Sequence, residues 1–127
     1  MPVWHGDKGK KKTGGKVNLN RRKRKWEMGS NPILTKLGYV KKKIVRTKGG
    51  GRKIKALAVS YANVYDTSSK KTKKVKIMDV VKNPANPHFV RRGIVTKGVT
   101  IETELGMAKV TSRPSQHNIV SAVLIKE

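Results

Sequence analysis

The side chains that could support catalysis or bind a metal ion are few and widely spaced. His5, His88 and His117 have no acid or second base at a recognisable motif spacing. The chain has no cysteine, which excludes thiolate catalysis, disulfides and zinc sites built on cysteine. Glu102 and Glu104 would share one face of a strand, where paired acids can act as general acid and base, but a solvent-facing strand is the simpler interpretation. We therefore predict no enzyme, no cofactor, no metal ion and no small-molecule substrate.

The composition favours the binding of a polyanion instead. The 127 residues include 31 Lys and Arg against 7 Asp and Glu, a formal net charge of +24. The net charge is +17 over residues 1–55, +7 over 56–98 and zero over 99–127. Such a chain repels itself unless something anionic neutralises it. An acidic protein or an anionic membrane would serve, but nucleic acid has the densest and most regular negative charge, and we predict it as the partner.

The strongest local signal lies in the first quarter of the chain. The lysines Lys10–Lys12 are followed by Arg21–Lys25, and five consecutive cations cannot pack against one another. They must be solvated or paired with an external polyanion, and phosphate contacts make the affinity depend on salt. Trp26, directly after the run, has two interpretations of equal weight. It stacks on an unpaired base, a contact of roughly 1–3 kcal/mol, or it anchors the basic segment to the folded domain.

A second basic segment surrounds a run of glycines, Gly49–Gly51, between the strand candidates Tyr39–Thr47 and Lys53–Tyr61. Glycine lets the backbone approach a ligand closely and adopt positive φ, and the flanking cations can reach phosphates. The alternative is a flexible hairpin tip whose cations are merely solvated. We favour phosphate contact because the tip adds to an already basic half.

The apolar residues place the folded domain after the basic segment. Only three of the 30 Val, Ile, Leu and Phe lie in residues 1–32, too few to offset the loss of backbone entropy on folding. We predict a basic N-terminal arm over residues 1–32, disordered alone and ordered on its partner, and a β-barrel domain over 33–127.

Residue types and periodicity predict that this domain is all-β, a small antiparallel β-barrel. Of the 30 residues, 23 are Val or Ile, which favour strands. Apolar residues alternate with period two over 57–61, 74–78 and 99–105, and turn signals divide the strands at short intervals. Gly106 is placed for a tight hairpin. The apolar run Ile119–Ile125 fits a central or closing strand, or a buried helix.

The chain carries no sign of a membrane location. Its longest uninterrupted apolar stretches are a few residues, against the ~20 that a membrane-spanning helix needs. The basic residues 1–12 have no apolar block after them, so we expect no secretory signal. We predict a soluble, intracellular protein.

Ordered blocks of residues also carry a family resemblance. They are Lys10–Gly15, Arg21–Gly29, Arg46–Lys53, Asp79–Pro87, Arg91–Gly98 and Ile101–Pro114. Together they resemble the eS-eight family of small-subunit ribosomal proteins of archaea and eukaryotes, in its short archaeal form. The resemblance implies a β-barrel body on the small ribosomal subunit, an arm running into ribosomal RNA, neighbouring ribosomal proteins as further partners, and no catalysis.

Four regions are therefore predicted to contact RNA: the arm, the Lys41–Lys53 hairpin, the Lys70–Lys76 segment, and the pair Arg91 and Arg92. Side chains read few bases in RNA duplexes, so phosphate and shape contacts should dominate. The lysines of the third region have a solvated loop as their alternative. The predicted contact residues are Lys10, Lys11, Lys12, Arg21, Arg22, Lys23, Arg24, Lys25, Trp26, Lys41, Lys42, Lys43, Arg46, Lys48, Gly49, Gly50, Arg52, Lys53, Lys70, Lys71, Lys73, Lys74, Arg91 and Arg92.

Two other functions would show the same net charge. A DNA-compacting architectural protein is one, but the sequence has no long recognition helix, no heptads and no two-fold device. A transient RNA-binding factor of translation or ribosome assembly is the other.

Overall fold

Residues 3–6, 9–47 and 49–125 are described by the structure, a computed structural model. They fall into two units, Met1–Pro32 and Ile33–Glu127. The division follows a stretch of Gly, Ser, Asn and Pro at positions 29–32, residue types that interrupt regular structure. The contact predicted at Lys48 lies outside the described residues.

The basic arm contains two short backbone pairings. β1 (Val3–Trp4) runs antiparallel to β2 (Met28–Gly29), and a 3₁₀ helix (Lys25–Glu27) leads directly into β2. Between them an isolated bridge joins Lys10 to Lys16. No described residue of this unit is buried, as its few apolar side chains predict. That the arm is disordered without a partner stays a prediction.

The second unit begins with a three-stranded sheet whose strand order is β3-β5-β4. Its strands are β3 (Lys36–Leu37), β4 (Lys41–Arg46) and β5 (Arg52–Val59). β4 and β5 are antiparallel and turn at the glycine run, which confirms the predicted hairpin, whereas β3 lies parallel to β5. β4 is an edge strand, and its lysines oppose pairing with another chain, as is common for exposed edges.

Five further strands close into a barrel, and this confirms the predicted all-β class. They are β6 (Tyr61–Asp66), β7 (Lys71–Lys82), β8 (Thr100–Thr103), β9 (Gly106–Val110) and β10 (Ser121–Leu124). β8 and β9 form the tight hairpin predicted at Gly106, whose φ is +115°. Glu104 lies in the turn of that hairpin rather than in a strand, so it does not share a strand face with Glu102.

The barrel is antiparallel except at its closure. β10 pairs antiparallel with β9 and parallel with β6. Five strands that each run antiparallel to the previous one leave the first and the last pointing the same way, so the pair that closes the barrel is parallel. The small antiparallel β-barrel predicted from the sequence is confirmed, and its closing pair is parallel. The apolar run near the C-terminus is the closing strand β10 and not a helix.

Alternating side chains of these strands fill the barrel. Val64, Ile101 and Val110 are fully or almost fully buried, and Ala56 and Val59 of β5 join the same core. Two one-turn helices lie in the connections: α1 (His88–Arg91) between β7 and β8, and α2 (Pro114–His117) between β9 and β10. The core therefore uses one face of each strand, and the other face is left for the charged residues.

Candidate nucleic-acid interface

In the arm, the carboxylate of Glu27 contacts residues of the basic run. Glu27 forms an ion pair with Arg21, and its Oε2 accepts hydrogen bonds from Trp4 Nε1 at 3.2 Å and from the backbone N–H of Arg24 at 3.1 Å. These bonds, led by that from Arg21, lower the pKa of Glu27 to about 2, because each favours the charged carboxylate. Glu27 was not predicted as part of the interface. The sequence signal for its role is a glutamate at the third position of the 3₁₀ helix, where its side chain can accept a hydrogen bond from the N–H of the capping residue Arg24.

Both tryptophans of the arm lie against cations. The guanidinium of Arg21 is 5.2 Å from the centroid of the Trp26 ring, and Lys23 Nζ is 5.1 Å from the centroid of Trp4. A cation over an aromatic face keeps N–H groups that can still donate to a phosphate. Trp26 is 63% exposed, and its stacking on a base stays a prediction.

Lys10, Lys11 and Lys12 lie at a tight turn. The N–H of Lys11 donates to the carbonyl of Gly15 at 2.8 Å, and the N–H of Gly14 donates back to the carbonyl of Lys11 at 2.9 Å. Gly14 has φ +83°, a conformation that glycine adopts without strain. Lys10, Lys11 and Lys12 are exposed, as are all five residues from Arg21 to Lys25. The turn thus presents its lysines to solvent.

The β4–β5 hairpin places cations opposite one another. Its register pairs Lys43 with Lys55 and Arg46 with Arg52. Directly opposed side chains have Cβ atoms about 4.5–5.5 Å apart, and like charges there destabilise the pair. Lys55 was not predicted as a contact residue, since only pairing across the hairpin brings it beside Lys43. The two pairs project from opposite faces of the hairpin, because side chains alternate along a strand, and an anion bound beside either pair would relieve its repulsion.

The tip of the hairpin needs its glycines. Gly49 and Gly50 have φ +84° and +86°, in the left-handed region that other residues adopt at a cost. The N–H of Thr47 donates to the carbonyl of Gly51 at 2.7 Å and closes the turn. Lys41, Lys42, Lys43, Arg46, Arg52 and Lys53 are exposed along this hairpin.

The third predicted region spans a turn and the start of β7. Asp66 shapes the turn by accepting hydrogen bonds from the Ser68 N–H at 2.9 Å and the Ser69 hydroxyl at 2.8 Å. These bonds, with that from the Ser68 backbone foremost, lower the pKa of Asp66. Lys70 lies in the turn with φ +53°. Lys71, Lys73 and Lys74 lie in β7, so the solvated-loop alternative describes only Lys70.

Two of the predicted regions of the second unit meet at one depression. Lys42 of β4 and Lys74 of β7 both line a depression of about 410 Å³. Lys74 Nζ also lies 5.0 Å from the ring centroid of Tyr61. Arg91 and Arg92 are exposed at the C-terminal end of α1 and do not line this depression. Lys42 and Lys74 therefore share one surface, and the two arginines lie outside this depression.

Other kinds of site find no support among the described residues. No three His, Asp or Glu side chains gather there in a way that would hold a metal ion. In the same part of the chain, no helix has both the length and the apolar character needed to cross a bilayer.

Comparison with known proteins decides the family. The family described as "Ribosomal protein S8e" matches residues 4–125. The chain belongs to this family. Among its relatives are proteins named "Small ribosomal subunit protein eS8" from Methanococcus aeolicus, Sulfolobus acidocaldarius and Methanospirillum hungatei, with 51%, 50% and 47% identity. The first two matches cover 100% of both chains, and the third covers 97% of this chain and 98% of the relative.

Membership of the S8e family confirms the resemblance seen in the ordered blocks. The three relatives are archaeal and match over essentially their whole length, as expected of the short archaeal form. The family is one of structural ribosomal proteins, which agrees with the prediction that the chain is not an enzyme.

Proposed function

We propose that this chain is a structural constituent of the small ribosomal subunit that binds and stabilises ribosomal RNA through phosphate contacts. It acts in the cytoplasm as part of that subunit. Its partners are small-subunit ribosomal RNA and neighbouring ribosomal proteins. The names and full-length identity of the relatives support the place in the subunit.

One observation supports the proposed phosphate contacts. Among the described residues, Arg21 with Glu27 is the single ion pair, although the chain has a formal net charge of +24. The described Lys and Arg residues of all four predicted regions are exposed. Because the protein does not neutralise them itself, an external polyanion is needed to offset their mutual repulsion. A phosphodiester backbone supplies one charge at regular spacing, and its release of counterions makes such binding strong at low salt.

The arm is proposed to become ordered on RNA. Its described residues bury no core, and the turn at Lys10–Lys12 and the contacts of Glu27 lie on exposed or half-exposed side chains. Such a segment loses its conformational freedom when it binds, and it can follow a surface that a rigid domain would not reach. Contacts to phosphates and to the shape of the RNA then outnumber contacts to bases, since duplex RNA offers few base edges to side chains.

Incorporation into the subunit tests the proposal. The full chain and a variant lacking residues 1–29 are expressed in cells, and extracts are sedimented at moderate and high salt. We expect the full chain to co-sediment with the small subunit at moderate salt and the shortened chain to stay folded but unincorporated. Equal incorporation of both would show that the arm is dispensable. Release by a nuclease that acts on DNA, with no small-subunit association, would favour the DNA-compacting function instead.

A further inference from the structure

A groove on the outer surface of the second unit combines aromatic and basic side chains. Leu37, Tyr39, Val40, Tyr61, Lys76 and Met78 line it, and its volume is about 730 Å³. We call it the tyrosine groove. Of these residues, only Lys76 lies in a region predicted to contact RNA. The groove becomes visible only when β6 and β7 lie beside the loop between β3 and β4.

The aromatic rings of this groove are unusually open to solvent. Tyr39 is 98% exposed and Tyr61 49%, and Met78 is 57% exposed. Large apolar side chains that cluster at a surface mark a binding site more often than single exposed ones do. Tyr39 lies in the loop before β4, where it packs into no core, so its ring is available to a ligand.

Two lysines lie near the Tyr61 ring. Tyr61 pairs with Lys76 across β6 and β7, and Lys74 Nζ lies over the Tyr61 ring. The tyrosine groove shares Val40, Ser60 and Tyr61 with the depression lined by Lys42 and Lys74, so the two are continuous. None of the described residues lining either one is acidic. The ligand must therefore present a flat apolar face and negative charge a few ångströms away.

We propose that the tyrosine groove binds an unpaired nucleotide of RNA, whose base stacks on Tyr39 and Tyr61 while the adjoining phosphates lie against Lys42, Lys74 and Lys76. A nucleotide in a single strand has both features, a π face and a flanking charge on each side. A duplex does not, because its bases are stacked inside. The site deepens the proposed function and rests on it, since it adds recognition of single-stranded segments to phosphate contacts.

Asn118 adds a polar group at the far end of the same surface. It lines the depression that continues the groove, and its Oδ1 is buried without a hydrogen-bond partner among the described residues. A buried acceptor without a donor is costly. Because this atom is closed to solvent, the amino group of a base or a ribose hydroxyl could donate to it only after the Asn118 side chain turns outward.

Binding of two RNA probes to the full chain tests the proposal. One probe is a labelled single strand of about 10 nucleotides without self-complementarity, a length that covers one binding surface. The other is the same strand annealed to its complement. The variants are Tyr39→Ala and Tyr39→Phe, with Tyr65→Ala as the matched control, because Tyr65 is an exposed tyrosine of β6 outside the groove. Circular dichroism melting checks that each variant is folded.

We expect Tyr39→Ala to weaken single-strand binding by about 5- to 150-fold, the loss of one stacked base, and to leave duplex binding unchanged. Tyr39→Phe, which keeps the ring, and Tyr65→Ala should bind both probes like the unsubstituted chain. Equal single-strand affinity of Tyr39→Ala and the unsubstituted chain overturns the inference, as does an equal loss on both probes.

Two further outcomes separate this inference from its alternatives. If the unsubstituted chain binds neither probe nor small-subunit RNA, the proposed function itself fails. If a polyglutamate peptide binds and loses affinity in Tyr39→Ala while the single strand does not, the groove takes an acidic protein, and the inference about a nucleotide is wrong.

Discussion

Neutralising the opposed arginines of the β4–β5 hairpin should change stability and RNA binding in opposite directions. Arg46 and Arg52 face each other across the two strands, just before and just after the glycine tip. In the free protein this pair is repulsive, and on RNA both side chains would lie against phosphates. The double substitution Arg46→Gln and Arg52→Gln removes both charges and leaves shorter polar side chains.

The expected magnitudes follow from that geometry. Removing one opposed pair of like charges should raise the free energy of unfolding slightly, by up to about 1 kcal/mol. Each lost phosphate contact should reduce the slope of log K against log salt by about 0.9, so that two contacts reduce it by about 1.8. Between about 50 and 200 mM salt the affinity of the variant should then fall about tenfold less than that of the unsubstituted chain.

The assay is titration of small-subunit RNA at several salt concentrations, together with thermal unfolding of the free protein. The control is Lys109→Gln with Arg113→Gln, two exposed cations of the neutral C-terminal third. If the hairpin variant is less stable and the slope of log K against log salt is unchanged, the arginines stabilise the folded protein and do not contact phosphates. An equal change of slope in the control would show that the charge acts without regard to position.

Two other substitutions test the arm and the barrel. Glu27→Gln should loosen the arm. Acid should do the same in the unsubstituted chain, because the pKa of Glu27 is lowered from 4.5 to about 2. The stabilisation by the carboxylate is therefore complete above pH 4.5 and is lost as the pH falls towards 2. The indole N–H resonance of Trp4 reports this change, and a signal that does not move between these pH values would contradict the reasoning. Ile101→Ala should lower the free energy of unfolding in urea by about 2–5 kcal/mol, because Ile101 is fully buried in the barrel. Ile119→Ala, at a half-exposed side chain, is its control and should change this free energy by less than about 0.5 kcal/mol. A loss at Ile101 no larger than that would show that Ile101 is not a core residue.

Much of the fold follows from local patterns. The glycine run predicts the β4–β5 hairpin because only glycine adopts two successive positive φ angles without strain. The alternation around Ile101 predicts a strand with one buried face, and Gly106 predicts the turn after it. These features depend on a few adjacent residues, which is why they can be read without knowing the partner strands.

The sequence predicts most cations of the candidate site but not its acidic residue or most of its aromatic residues. Runs such as Arg21–Lys25 are visible from composition alone. Glu27 and Trp4 are 23 residues apart, and Tyr39 and Tyr61 share a groove only because separate strands meet there. Lys55 is an ordinary lysine in the sequence and becomes notable through its pairing with Lys43.

The sequence by itself determined the charge, the division of the chain into a basic arm and an apolar domain, and the strand character of that domain. Net charge, apolar content and periodicity are sums over neighbouring residues and need no knowledge of the fold. Only the tertiary structure decided that β10 closes the barrel parallel to β6, which cations face one another, and which aromatic rings share a groove. Those properties depend on contacts between residues far apart in the chain, and such contacts exist only once strand order and register are set.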